Sequence, residues 1–130
     1  MFIDANIFLE IFLKNRNYLK CEEFIKNLIN DDTPFYTSDF ILYSCMLEIY
    51  KKLGSDLTLR NFLIFINSIG IVLIRPSLKA IYDSANLMKK YRLDFDDALV
   101  ISCMIENSIK DLISYDKHFT KIKEINVIGP

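Results

Sequence analysis

The chain has no tryptophan, one histidine, three glycines, three prolines and three cysteines in 130 residues. So little Gly and Pro, beside 52% hydrophobic residues, argues against long disordered segments and for a packed core. Cys21, Cys45 and Cys103 stand far apart and match neither a disulfide framework nor a close-spaced zinc site, so they are expected to be buried, reduced, structural thiols. The lone His118 leaves few routes to Ser-His-Asp or Cys-His catalysis. It lies beside Asp116 with no marked nucleophile, and is read as a surface histidine. A membrane span is also missing. The most apolar stretch, Phe62 to Ile74, is interrupted by Asn67, Ser68 and Gly70 and falls short of the roughly 20 residues a spanning helix needs. The start of the chain carries Asp4 and Glu10 instead of the basic-then-apolar order of a signal peptide, so a cytoplasmic location is expected. Finally, there is no charge excess: 16 Lys and Arg face 17 Asp and Glu, a net charge of -1, which excludes the whole molecule as an electrostatic sponge for nucleic acid.

What is present is an alternation of short apolar runs and helical periodicity. Phe2-Ile3 reads as a buried strand, followed by a helix from Asn6 to Lys14 and another from Tyr18 to about Asn30. Asn30 to Pro34 reads as a loop. Phe35 to Thr37 is the second strand, Ser38 caps a helix running to Leu53, and Gly54 supplies its left-handed stop. A helix from Ser55 or Asp56 to about Ser68 precedes Ile71 to Ile74, whose unbroken β-branched and Leu content predicts a fully buried strand. Ser77 and Asp94 cap the next two helices, to about Tyr91 and Asn107, Leu112 to Tyr115 is the fourth strand, and Asn126 to Ile128 a fifth at the edge. Helices between all successive strands predict one α/β domain over residues 1–130, a three-layer α/β/α sandwich with a central parallel sheet of about five strands.

Four carboxylates fall where this pattern ends a strand or enters a helix. Asp4 follows the first strand, Glu48 lies inside the third helix, Asp97 opens a later helix, and Asp116 follows the fourth strand. The carboxyl ends of parallel strands share one crevice, so these acids can converge there. Two carboxylates about 5 Å apart repel by roughly 3 kcal/mol at an effective dielectric of about 20, and a divalent cation removes that cost. Each acid also has a plain structural reading. Asp4 can cap a helix, Glu48 can pair with Lys51 or Lys52, the Asp94 to Asp97 run can complement a helix dipole, and Asp116 can start an Asx turn. Asp96 and Asp97 point about 100° apart on a helix and cannot face one ion equally well. Asp94 and Asp96 therefore remain secondary candidates.

Taken together, Asp4-Ala5-Asn6, Glu48, Asp97-Ala98 and Ser114-Tyr115-Asp116, in that order and context, resemble the PIN domain, and most of all the single-domain VapC-type toxin ribonucleases of toxin-antitoxin pairs. The resemblance implies a metal-dependent endoribonuclease with Asp4, Glu48, Asp97 and Asp116 as its catalytic and metal-binding acids. It further implies Asn6, Ser114 and Ser38 as hydrogen-bonding supports, Mg²⁺ or Mn²⁺ as cofactor, RNA as substrate, a small antitoxin protein as partner, and a homodimer. Ala5 departs from the Thr or Ser usual in the family. All-oxygen donors suit Mg²⁺ and Mn²⁺, which prefer octahedral geometry and retain waters. The alternatives are a PIN-like binding or assembly module without activity, or a housekeeping RNA-processing nuclease. A receiver domain or haloacid-type phosphatase fits poorly, because Asn6 stands where those need a second acid. Tyr91 and Tyr115 are candidates to stack on a base, though core packing is the plainer role.

Overall fold

The short apolar runs pair as strands and the periodic segments cover them. The computed structural model describes residues 1–29 and 33–130. Its elements are β1 (Phe2–Ile3), α1 (Ala5–Phe12), α2 (Tyr18–Ile29), β2 (Tyr36–Ser38), α3 (Asp39–Leu53), α4 (Asp56–Ser68), β3 (Val72–Ile74), α5 (Leu78–Tyr91), α6 (Phe95–Glu106), β4 (Asp111–Ile113), a 3₁₀ helix (Lys117–Lys121) and β5 (Asn126–Ile128). Asn30 and the first part of the Asn30 to Pro34 loop lie outside the described residues.

Among the described residues the five strands form one parallel sheet in the order β3-β2-β1-β4-β5, flanked by six α-helices in the expected α/β/α arrangement. The chain builds outward from β1 through β2 to β3, then returns to the other side of β1 for β4 and β5. The gap between the carboxyl ends of β1 and β4 is therefore the topological switch point, where open parallel sheets form their crevice.

Local chemistry sets the helix boundaries. Ser38 Oγ accepts the Ile41 N–H at 3.2 Å at the start of α3, and Gly54 ends it at φ +60° with its N–H donating to Tyr50 O, a conformation that costs little without a Cβ. Ser77 caps α5 through the Ala80 N–H. α5 and α6 are held together in part by Ser102 Oγ, which donates to Ala80 O at 2.6 Å. The core runs through the sheet: Phe2, Ile3, Leu112 and Ile113 are fully buried, with Ile7, Phe8, Phe62, Ile101 and Phe119 packed about them. Cys21, Cys45 and Cys103 are free and buried. Burial pushes the Cys45 thiol up to about 12 and the Cys103 thiol up to about 11, which keeps both protonated and unreactive. Among the described residues no helix is long and apolar enough to cross a membrane.

Two expectations are corrected. β3 is not a fully buried strand: it is the sheet edge opposite β5, and Val72 and Leu73 are 47% and 46% exposed. An unbroken apolar run cannot distinguish a central strand from an edge strand whose faces are only partly covered, because position in the sheet is a tertiary property. The fourth strand also ends at Ile113, so Ser114 and Tyr115 belong to the connection into the 3₁₀ helix.

Phe62 joins α4 to α1, its ring meeting Phe8 and Phe12 edge-on at centroid distances of 5.9 and 4.9 Å, and it is completely buried. Phe62→Ala is expected to cost about 3–5 kcal/mol, measured by urea denaturation. A loss below about 1 kcal/mol would show that α4 is not part of the cooperative core.

Candidate metal centre

Asp4 leaves β1 with extended backbone (φ -81°, ψ 158°) and caps α1, its Oδ1 accepting the Ala5 N–H at 2.7 Å. Its other oxygen, Oδ2, accepts from Asn6 Nδ2 and from Ser114 Oγ, both at 2.7 Å. Asn6 Nδ2 also donates to Ser114 Oγ at 2.9 Å, while Asn6 Oδ1 accepts the Tyr115 N–H at 3.2 Å. Ser114 Oγ in turn accepts the Asp116 N–H at 3.0 Å, and the Asp4 N–H donates to Ile113 O. Asn6 and Ser114 thus tie the end of β1 to the end of β4 and fix the Asp4 carboxylate in a buried position. This network needs the Asn amide, which donates and accepts at once, and a hydroxyl, which does the same.

The other two aspartates enter from α6 and the 3₁₀ helix. Asp97 stands in the first turn of α6, half-buried. Asp116 caps the 3₁₀ helix, its Oδ1 accepting the His118 N–H at 2.8 Å. One ligand atom each from Asp97, Asp116 and His118 lies within 4.8 Å of the other two. His118 Nδ1 is 3.3 Å from Asp116 Oδ1.

The electrostatics follow from this crowding. Burial raises the Asp4 carboxyl above its usual range; the Ser114 and Ala5 hydrogen bonds oppose that, and the charges of Asp116 and Asp96 add to it. Asp97 is pushed up to about 6, first by burial and then by Asp96, Asp116 and Asp4, with His118 acting the other way. Several carboxylates therefore compete for ionisation in one crevice. The donor set, carboxylate oxygens with one imidazole nearby, fits a divalent cation of the Mg²⁺ to Mn²⁺ type. Asp97 and Asp116 are the residues placed to hold one.

The structure brings together Asp97 and Asp116, with Asp4 near enough for its charge to act on Asp97 and with Asn6 and Ser114 hydrogen-bonded to Asp4. Asp96 is exposed beside them. Asp94 is exposed at the cap position of α6, without a side-chain cap bond. Ser38 spends its hydroxyl on capping α3. Glu48 is half-buried on α3, one turn beyond Cys45, whose Sγ contacts Ala5 O at 3.8 Å; like Asp4, it is not one of the three residues whose ligand atoms lie within 4.8 Å of one another. Tyr91 donates its hydroxyl to Glu124, and the Tyr115 oxygen faces Cys21 Sγ at 3.6 Å, so both are engaged within the protein. His118 is exposed, as read from the sequence, yet faces two of the acids. The signal available was the Asx turn at Asp116, whose side chain accepts the N–H two residues on and so brings His118 alongside the acid.

A family model, the PIN domain, matches residues 1–125. The chain belongs to the PIN-domain family. Solved structures share the fold at low sequence identity. VapBC2 of Rickettsia felis, bound to a DNA fragment from its promoter, superposes with a TM-score of 0.79 at 15% identity, covering 98% of this chain and 96% of that one. VapC20 of Mycobacterium tuberculosis, a sarcin-ricin loop cleaving toxin, gives 0.76 at 12% identity and 95% of each chain. A toxin-antitoxin complex from Klebsiella pneumoniae gives 0.73 at 19% identity, covering 98% of this chain and 94% of that one. No curated protein matches this PIN domain in sequence.

The raised Asp97 value fixes a pH dependence for the metal-free protein. The folded state holds this proton up to about 6, against 3.8 for the ordinary carboxyl, so stability falls as pH rises through that interval and the penalty is complete above it. Allowing for solvent screening of a half-exposed group, the penalty is about 1 kcal/mol. Metal-free Asp97→Asn is therefore expected to melt above the parent at about pH 8 and level with it at about pH 4. Thermal melts in chelator test this; a variant destabilised at both pH values would contradict it.

Proposed function

We propose that this PIN domain is a Mg²⁺- or Mn²⁺-dependent endoribonuclease, the toxin of a toxin-antitoxin pair, acting in the cytoplasm and restrained by a small antitoxin protein. The observation that carries the reading is the convergence of Asp97 and Asp116 beside the buried Asp4 at the switch point of a PIN fold. The sarcin-ricin loop cleaving activity of VapC20 and the toxin-antitoxin complexes among the structural neighbours agree with it.

A divalent cation bound in the crevice supplies the charge that polarises a phosphodiester, lowers the pKa of water and stabilises the departing 3′ oxygen. The protein's own residues do the positioning. Asp97 and Asp116 would hold the cation, and Asp4, kept rigid by Ala5, Asn6 and Ser114, would orient water and phosphate beside it. Glu48 on α3 is a further acid for the same crevice, reaching the cation directly or through one of the several waters such ions retain. Products carry 5′-phosphate and 3′-hydroxyl ends.

The same reading includes a homodimer and an inhibitory partner. Tyr43, Leu47, Tyr50 and Leu53 on α3 and Leu57 on α4 are exposed large apolar side chains, a surface suited to a second copy. On α2, the other helix considered, Leu19 and Ile29 are the exposed large apolar side chains. An antitoxin segment that places Arg or Lys among Asp4, Asp97 and Asp116 would neutralise them as a cation does and block substrate.

Purified protein with mixed RNA and millimolar Mg²⁺ or Mn²⁺ should show cleavage that chelator abolishes and that Asp97→Asn lowers by at least about 100-fold. Expression in cells should arrest growth, co-expression of the neighbouring small gene should relieve it, and Asp97→Asn should cause none. Full metal-dependent cleavage by Asp97→Asn would contradict the site. Active nuclease without growth arrest would remove the toxin role and leave an RNA-processing enzyme, whereas RNA binding without cleavage would leave a binding module.

A further inference from the structure

We propose that His118 is a nitrogen ligand of the cation held by Asp97 and Asp116, and that this imidazole shifts the site's preference from Mg²⁺ toward Mn²⁺ and similar borderline ions. The inference rests on the metal-dependent reading above and goes beyond it, because it assigns a ligand and a selectivity that an all-carboxylate site lacks.

Geometry comes first. Octahedral coordination at about 2.1 Å puts neighbouring ligand atoms about 3 Å apart and opposed ones about 4.2 Å apart. His118 Nδ1 stands 3.3 Å from Asp116 Oδ1, the spacing of neighbouring ligands. The donor atoms of Asp97, Asp116 and His118 all fall within 4.8 Å of one another, so small side-chain rotations bring the three onto one ion. The direction of the imidazole is set by its backbone. The His118 N–H is bound by Asp116 Oδ1, and the next residue, Phe119, is 1% exposed and anchors the 3₁₀ helix in the core. The His118 side chain is 72% exposed, so it contributes little to packing, and an isolated exposed pair with Asp116 would add little stability.

Ligand chemistry then decides the preference. Carboxylate and water favour Mg²⁺, Ca²⁺ and Mn²⁺ alike, whereas an imidazole nitrogen adds affinity along the series from Mn²⁺ toward Cu²⁺ and little for Mg²⁺. One nitrogen beside two carboxylates leaves positions open for water and a phosphate oxygen.

The chain has a single histidine, which makes the test specific. Tag-free protein loaded with Mn²⁺ is studied by pulsed electron paramagnetic resonance for imidazole nitrogen coupling, and Mn²⁺ and Mg²⁺ dissociation constants are measured by titration calorimetry for the parent, His118→Ala and Lys117→Gln. The expected result is a nitrogen coupling in the parent and in Lys117→Gln that disappears in His118→Ala. Mn²⁺ binding should weaken roughly 10–100-fold in His118→Ala, with Mg²⁺ affinity changed less than about threefold. Mn²⁺ bound without nitrogen coupling, coupling that survives His118→Ala, or equal weakening of both ions overturns the His118 assignment and leaves the carboxylate site standing. A parent protein that binds no Mn²⁺ overturns both. A native-like melting temperature for His118→Ala shows that any loss is not a folding defect.

Discussion

Repulsion among carboxylates is the constraint around which the rest of the molecule is arranged. Burial first, and then the charges of Asp116 and Asp96, raise the ionisation cost of Asp4 and Asp97 at the carboxyl ends of β1 and β4. A fold stabilised by only a few kcal/mol does not carry such a cluster without cause. Burial makes the cost larger for Asp4 and Asp97, because water is no longer there to screen them. The hydrogen bonds to Asp4 from Ala5, Asn6 and Ser114 offset part of it. A divalent cation would remove most of the remainder, so under the proposed reading stability given up by the metal-free protein would become binding energy for the metal.

The parallel topology makes the cluster possible. Reversing strand order at β1 opens a crevice between β1 and β4 and leaves the segments after both strands free to turn inward. Asn6 and Ser114, 108 residues apart, meet at 2.9 Å, so the site also fastens the two halves of the sheet. Helix capping and ligand placement use the same atoms: Asp4 begins α1 and Asp116 begins the 3₁₀ helix. The plain structural readings of these two acids are therefore both correct and compatible with metal binding. Capping fixes the backbone at both acids.

Much of this was legible in the sequence. The helical segments follow from apolar periodicity and from Ser38, Gly54 and Ser77, whose cap chemistry is local. The PIN resemblance rested on order and context, and the family match supports it over residues 1–125. What was not legible is what depends on tertiary position. The apolar run at β3 looked central but lies at the edge, since position in the sheet is a tertiary property that leaves little trace in four residues. Asp96 and Asp97 were separable only by helix phase: Asp97 turns inward and Asp96 stays exposed. His118 looked like an ordinary surface residue until the 3₁₀ helix turned it toward Asp116.

The central claim is that this crevice binds a divalent cation through Asp97 and Asp116. Anomalous diffraction from a crystal soaked in millimolar Mn²⁺ tests it most directly. The account predicts an anomalous peak in contact with carboxylate oxygens of Asp97 and Asp116 beside Asp4. An empty crevice, or a peak that contacts neither Asp97 nor Asp116, would contradict it.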